Sequence, residues 1–223
     1  NFDRLINMIP ANCKHLILIP HRFLHLLPLH AFPLQDGNCL LDYLSQGKRF
    51  TGGVNYAPSC QIWYQVKNRK NTSFSSLFTI QNPTLDLQYT DIEVEVIKEF
   101  FDNDHTEILN KENANKEKID SSTLQIANCI HFSCHGSFNF DEPWKSALIL
   151  SKARVAEEQN LAHIRHTNLR GGGSFDLQKC LTSEEIFNLN LTQCRLVTLS
   201  ACETGLTDIK SVSDEYILSL IHI

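Results

Sequence analysis

A chain of 223 residues, 42% of them hydrophobic, can bury a full core, which excludes disorder as the default and suits one large α/β domain or a domain with a smaller lobe. Its formal charge of −5 leaves no excess of cations to neutralise phosphates, so general nucleic-acid binding is excluded in favour of a protein or peptide partner. No apolar run approaches the roughly 18–20 residues that span a bilayer, because HLILIPHRFLHLLPLHAF is interrupted by Pro20, His21, Arg22, His25, Pro28 and His30, and no membrane partner is expected.

The N-terminal NFDRLINMIP lacks the basic region and apolar stretch of a secretory signal, and a start on Asn1 suggests a piece of something longer. The eight cysteines, Cys13, Cys39, Cys60, Cys129, Cys134, Cys180, Cys194 and Cys202, are dispersed, and none forms a CxxC pair. A chain of this size does not need disulfide staples. Several of these cysteines sit in apolar runs, where cysteine acts as a small hydrophobe. A reducing cytoplasm is the expected compartment, with no zinc site and no cofactor.

In chain order, HLILIP (15–20) reads as a strand buried on both faces and ended by proline. In HRFLHLLPLHAFPL, Pro28 and Pro33 forbid a long helix, and the expectation is strand, turn, strand, loop. CLLDYL and YAPS (56–59) read as a strand and a turn leading into a short helix, QIWYQVKNRK. NRKNTSFSS (68–76) is a polar surface loop before the strand SLFTI and the turn QNP. TDIEVEVIKEFF is helical, capped by Thr90 or Asp91, with Ile92, Val96 and Phe100 recurring at a spacing of four. ILNKENANKEKIDSS (108–122) reads as a loop with a fragment of helix.

NCIHFSCHG (128–136) is apolar and stops on glycine, the pattern of a central strand reaching its C-terminal edge, and SALILS (146–151) is another strand. Residues 152–176, with RHTNLRGGGSF, lack periodicity and read as an exposed insert. LTSEEIFNLNL (181–191) starts a helix on Thr182 or Ser183 ahead of two glutamates, and CRLVTLSAC (194–202) is a further buried strand. Strands alternating with helices, and continuous rather than alternating apolarity, predict a mostly parallel sheet with helices on both faces. In such sheets ligands sit at the carboxyl ends of strands, and His135 and Cys202 both fall there.

A thiol becomes a nucleophile when an imidazole removes its proton and backbone N–H groups receive the charge developing on the attacked carbonyl. His135 and Cys202 supply the two side chains, and Gly136 leaves room for substrate backbone and for its own N–H to face an oxyanion. From spacing alone, a packing cysteine and a structural histidine remain open. His131 and Cys134 are decoys within the same strand. With period two, His131, Ser133 and His135 share one face, Cys134 takes the other, and His131 lies deeper as a hydrogen-bonded structural residue. His21, His25 and His30 would suit a metal only on a helix, which the prolines forbid. The glycines 171–173 lack the strand and the lysine of a phosphate loop and read as a flexible insert.

IHFSCHG, LVTLSACETG and SDEYI, with ILIPHRFLHLLPLHAFPL and YAPS, resemble in order the CHAT domain, a caspase-related domain commonly joined to tetratricopeptide repeats. The resemblance covers roughly residues 10–217. It implies a caspase-like three-layer α/β sandwich over residues 1–217 and a cysteine endopeptidase that cleaves a protein substrate through a thioester. In that reading His135 is general base and acid, Cys202 is the nucleophile, and the amides of Gly136 and Cys202 are the oxyanion donors. Upstream repeats in the same polypeptide would regulate it. Glu203 and Asp208, with Asp214 and Glu215, either select a basic substrate residue or are solvated loop charges. After SDEYI the family continues with glycine, a small-residue helix and a strand, whereas this chain runs into ILSLIHI, so residues 218–223 are expected to be foreign or truncated. A caspase-like interaction module that no longer cleaves is the alternative reading.

Overall fold

The computed structural model describes residues 2–21, 24, 27–69, 73–119, 121–156, 164–169 and 172–201. Among these the chain divides into two compact units, 2–69 and 73–201.

The first unit contains α1 (Phe2–Met8), β1 (His15–Leu18), α2 (Leu40–Ser45), β2 (Gly53–Tyr56) and α3 (Cys60–Asn68). β1 and β2 pair in parallel from His15 opposite Gly53 to Leu18 opposite Tyr56. A small core of Ile6, Leu34, Leu40 and Phe50 is packed by Leu16, Leu18 and Val54 from the strands. Gly52 lies under the His15 ring, where a β-carbon would come within 2.3 Å of the imidazole. Arg49 donates from Nη2 to the carbonyls of Ile6 (3.2 Å) and Ile9 (2.8 Å), which satisfies carbonyls left over at the end of α1.

Three expectations for this unit are corrected. β1 is not buried on both faces: His15 is exposed and Leu16 to Leu18 are half-buried, because β1 has a single strand neighbour among the described residues. CLLDYL is the helix α2, not a strand. Asp42 accepts the Cys39 backbone N–H at 2.8 Å, closing an N-terminal capping box, and helical rotation sends Leu40 inward while Leu41 stays exposed. Between Leu18 and Gly53 the described residues contain no strand, and Leu29–Ala31 is a 3-10 turn. Two prolines deprive that segment of ladder donors.

The second unit is built on β3 (Leu77–Gln81), α4 (Thr90–Lys98), β4 (Thr106–Asn110), α5 (Ser121–Ile126), β5 (Cys129–Ser133), β6 (Gly136–Ser137), β7 (Ala147–Leu148), β8 (His166–Asn168), β9 (Ser174–Asp176), β10 (Leu181–Thr182), α6 (Ser183–Phe187) and β11 (Leu196–Ser200). Four of these strands form an all-parallel sheet in the order β11-β5-β3-β4. Alternation along the strands separates its faces. Phe78, Ile80, Ile130, Phe132 and Val197 turn to one side and pack with Leu124 of α5 and Ile186 of α6. Thr79, His131 and Ser133 turn to the other, against α4, where Val94 is buried. The result is a mixed α/β layer structure with helices on both faces of a parallel sheet, as expected of a caspase-like fold.

β4 lies in a segment expected to be loop. As the edge strand it buries only Leu109, and its polar neighbours concealed it. α4 is helical as expected, but neither Thr90 nor Asp91 caps it: the N-cap is Tyr89, Thr90 Oγ1 donates to the Leu87 carbonyl, and Asp91 accepts from Gln81 Nε2 at 2.7 Å. The expected core stripe is reversed, with Ile92 66%, Val96 51% and Phe100 78% exposed. Thr90, Glu93 and Val94 turn inward because the sheet face they cover is polar.

Beyond β5 the chain enters a three-strand antiparallel sheet ordered β10-β7-β6. SALILS is buried throughout but only Ala147 and Leu148 are paired. The described part of 152–176 is a hairpin rather than an exposed excursion: β8 and β9 pair antiparallel, and Phe175 is buried with Ala153, Leu177 and Cys180. Gly172 and Gly173 (φ +98° and +94°) turn it in a conformation that side chains resist. Thr182 caps α6 through a box with Glu185, one of the two residues expected there. Among the described residues no helix is long and apolar enough to cross a membrane.

Candidate functional site

β5 and β11 are adjacent and parallel, with Ser133 opposite Ser200 at their carboxyl ends. The Cys134 N–H continues the ladder by donating to the Ser200 carbonyl at 3.3 Å. One residue further along each strand, His135 and Ala201 line one open cleft of about 550 Å³, with Leu87 and Tyr89 from the β3–α4 connection and Glu93 from α4. Cys202, Glu203 and Asp208 lie outside the described residues, as do Asp214 and Glu215.

His135 stands at the rim, with 21% of its side chain exposed, and its Nε2 lies 3.0 Å from Asp86 Oδ1. Burial alone would raise the Asp86 pKa. Hydrogen bonds from Thr84 Oγ1 (2.5 Å) and His135, together with the charge of a protonated imidazole, outweigh it and hold the carboxyl below its ordinary 3.8. Asp86 is carried by a loop with two left-handed residues, Asn82 (φ 46°) and Leu85 (φ 67°). The Asn82 N–H donates to the Ser133 carbonyl, and its side-chain oxygen accepts from the Leu87 N–H at 3.1 Å, so the loop is tied to the end of β5.

Gly136 opens β6. The His135 carbonyl accepts from the Ile149 N–H at 2.8 Å, and Gly136 sits opposite Leu148. By the alternation of an antiparallel ladder, the Gly136 N–H then points to the side of β6 away from β7.

His131 lies two residues inside the end of β5 and is 3% exposed. Its Nδ1 is 2.6 Å from Thr198 Oγ1, and Nε2 faces Glu93 Oε1 at 3.6 Å, ion-pair range but too long for a hydrogen bond. Burial lowers its pKa against the opposing charge of Glu93, which keeps the ring neutral. Cys134 packs in the opposite core, and burial, with the neighbouring Cys180, pushes its thiol up to about 12. Neither has the access of a nucleophile or its base, as the alternation along the strand implies.

In the N-terminal histidine block, His25 lies outside the described residues, and His30 Nδ1 is hydrogen-bonded to the Tyr56 hydroxyl at 2.8 Å. Among the described residues no group of three His, Cys, Asp or Glu side chains could hold a metal. Sequence reasoning missed Asp86 and Glu93. Their signal was position: both lie in or just after the connection leaving the carboxyl end of β3, where α/β sheets gather functional side chains.

A parallel sheet with helices on both faces, whose adjacent strand ends open on a cleft with an imidazole and a carboxylate, makes this a layered α/β protein consistent with a caspase-like fold. The chain belongs to the CHAT domain family, whose sequence model matches residues 3–221, nearly its whole length. No curated protein sequence matches it.

Proposed function

We propose that this CHAT domain is a cysteine endopeptidase in which Cys202 is the nucleophile and His135 its base and acid. The observation that carries the reading is the register of β5 and β11, which brings the residue before Cys202 into the same cleft as His135. Cys202 gives its proton to His135 and attacks the substrate carbonyl. The tetrahedral oxyanion rests on the Gly136 and Cys202 N–H groups. His135 returns the proton to the amine as the C–N bond breaks, and water, activated by the same ring, cleaves the thioester to release the acid. An open cleft with the Glu93 carboxylate on its described wall suits an extended peptide segment, and Glu203 and Asp208 would add to that charge.

The same reading includes a protein substrate, regulation by tetratricopeptide repeats upstream in the polypeptide, and a single catalytic domain over residues 1–217. Seven cysteines standing as thiols among the described residues support a reducing cytoplasmic setting. The test is labelling with an acyl-mimicking electrophile such as a peptidyl acyloxymethyl ketone. Adduct on Cys202, lost in Cys202→Ala and His135→Ala, is expected. Labelling that persists in Cys202→Ala would remove it from the nucleophile's role, and absence of labelling in the wild type would leave a non-cleaving interaction module.

A further inference from the structure

We infer that Asp86 is the positioning residue of His135: it fixes the imidazole as the Nε2–H tautomer and turns the unprotonated Nδ1 to the cleft as the base. The placement of Nδ1 as base rests on the peptidase reading; the coupling of Asp86 to the ring does not.

The tautomer follows from the hydrogen bond. Asp86 is ionised at neutral pH, and an ionised carboxylate only accepts, so the proton in the 3.0 Å contact belongs to Nε2. A neutral ring then has its lone pair on Nδ1, which has no hydrogen-bond partner among the described residues. The carboxylate is itself held. Thr84 Oγ1 donates at 2.5 Å to the same Oδ1 that takes the imidazole, and Asn82 clamps the loop at both ends, to the Ser133 carbonyl and the Leu87 N–H. Asn82 and Leu85 both adopt left-handed backbone to make this turn, a conformation that costs about 1 kcal/mol or more for a residue such as leucine and persists only where surrounding contacts impose it. A surface carboxylate meeting a histidine by accident would not need such a support. Ring orientation matters because a base must present one nitrogen at hydrogen-bond reach, and a freely rotating imidazole presents either.

The chain labelled with ¹⁵N-histidine, studied near pH 8 where an ordinary imidazole is neutral, reports the proton position through ring-nitrogen shifts. Wild type should carry it on Nε2 of His135. Asp86→Ala should mix the tautomers and slow electrophile capture by Cys202 by about 10- to 100-fold. Asp86→Asn, which keeps an acceptor oxygen, should retain part of the bias. Thr84→Val, which leaves Asp86 in place, should give a smaller change in the same direction and keeps the test open if the alanine variant does not fold. A wild-type proton on Nδ1, or an unchanged tautomer in folded Asp86→Ala, would overturn the assignment. If wild-type Cys202 is not captured while the tautomer still responds to Asp86, the peptidase reading fails and the positioning of the ring stands.

Discussion

Replacing Glu93 by alanine asks how much of the sheet's buried polar face depends on one carboxylate. Ser133, with no exposed surface, donates from Oγ to Glu93 Oε2 at 2.5 Å. A hydrogen bond to a charged acceptor contributes about 1.5–3 kcal/mol, and a buried hydroxyl left without a partner costs about 1–3 kcal/mol. These are two descriptions of one bond and are not added, so the expected loss is about 2–3 kcal/mol. His131 contributes little to it, because its ring is neutral and the Glu93 contact is 3.6 Å. Glu93→Gln keeps an acceptor and should lose about 1 kcal/mol. Removing the donor as well relieves the orphaned group, so Glu93→Ala with Ser133→Ala should be less destabilised than the two single variants summed, by about 1–2 kcal/mol. Urea unfolding followed by far-ultraviolet circular dichroism gives all four stabilities. Single-variant losses that simply add would mean that Ser133 and Glu93 do not form the bond on which this reasoning depends.

Because burial depresses the His131 pKa below 6.5, the unfolded chain takes up a proton that the folded chain resists. Stability is therefore intact above about pH 6.5 and is lost as pH falls from there through the lower folded value. The urea midpoint between pH 7.5 and 5.5 should fall more steeply in wild type than in His131→Gln, and equal slopes would contradict the assignment of a buried neutral ring. The thiols divide by access: Cys60 is exposed, while burial pushes Cys134 and Cys180 each up to about 12. Brief maleimide treatment of the native chain should modify Cys60 and spare both until denaturant is added, a pattern read by peptide mass spectrometry.

The elements legible in the sequence are those whose apolar run is continuous or whose caps are conventional. β5 and β11 are visible as continuous apolar runs, although β11, expected to be buried, is an edge strand of the described sheet that buries only Val197, and α6 is visible through its Thr182–Glu185 box. α2 was misread because its capping box starts on a cysteine, a residue that reads as strand interior until Asp42 is seen to close the turn. α4 is the helix its sequence predicts, turned so that Ile92 and Val96 face outward. An apolar stripe is expected to face the core, yet the sheet face beneath it presents Thr79, His131 and Ser133, and a glutamate serves that face better than an isoleucine. β4 escapes notice because Thr106, Glu107 and Asn110 leave it only two apolar residues, whereas β11, also an edge strand, keeps an apolar run.

The candidate site was half legible for a related reason. His135 is marked by its place beyond a strand, but nothing local in the sequence links it to Asp86, because their contact is made between the β5–β6 connection and the β3–α4 connection. The sheet edge also separates the two histidines of HFSCH. His131 lies within the strand under the first turns of α4, beside the Thr198 hydroxyl, where burial keeps it neutral. His135 emerges beyond the paired residues, where the covering helix gives way to the Asn82–Leu87 loop and the available partner is an ionised carboxylate. Two imidazoles four residues apart on one face thus differ not in kind but in which side of the sheet's rim they occupy. Any substitution that lengthens β5 past Ser133 would bring His135 under that cover and remove the feature that distinguishes it.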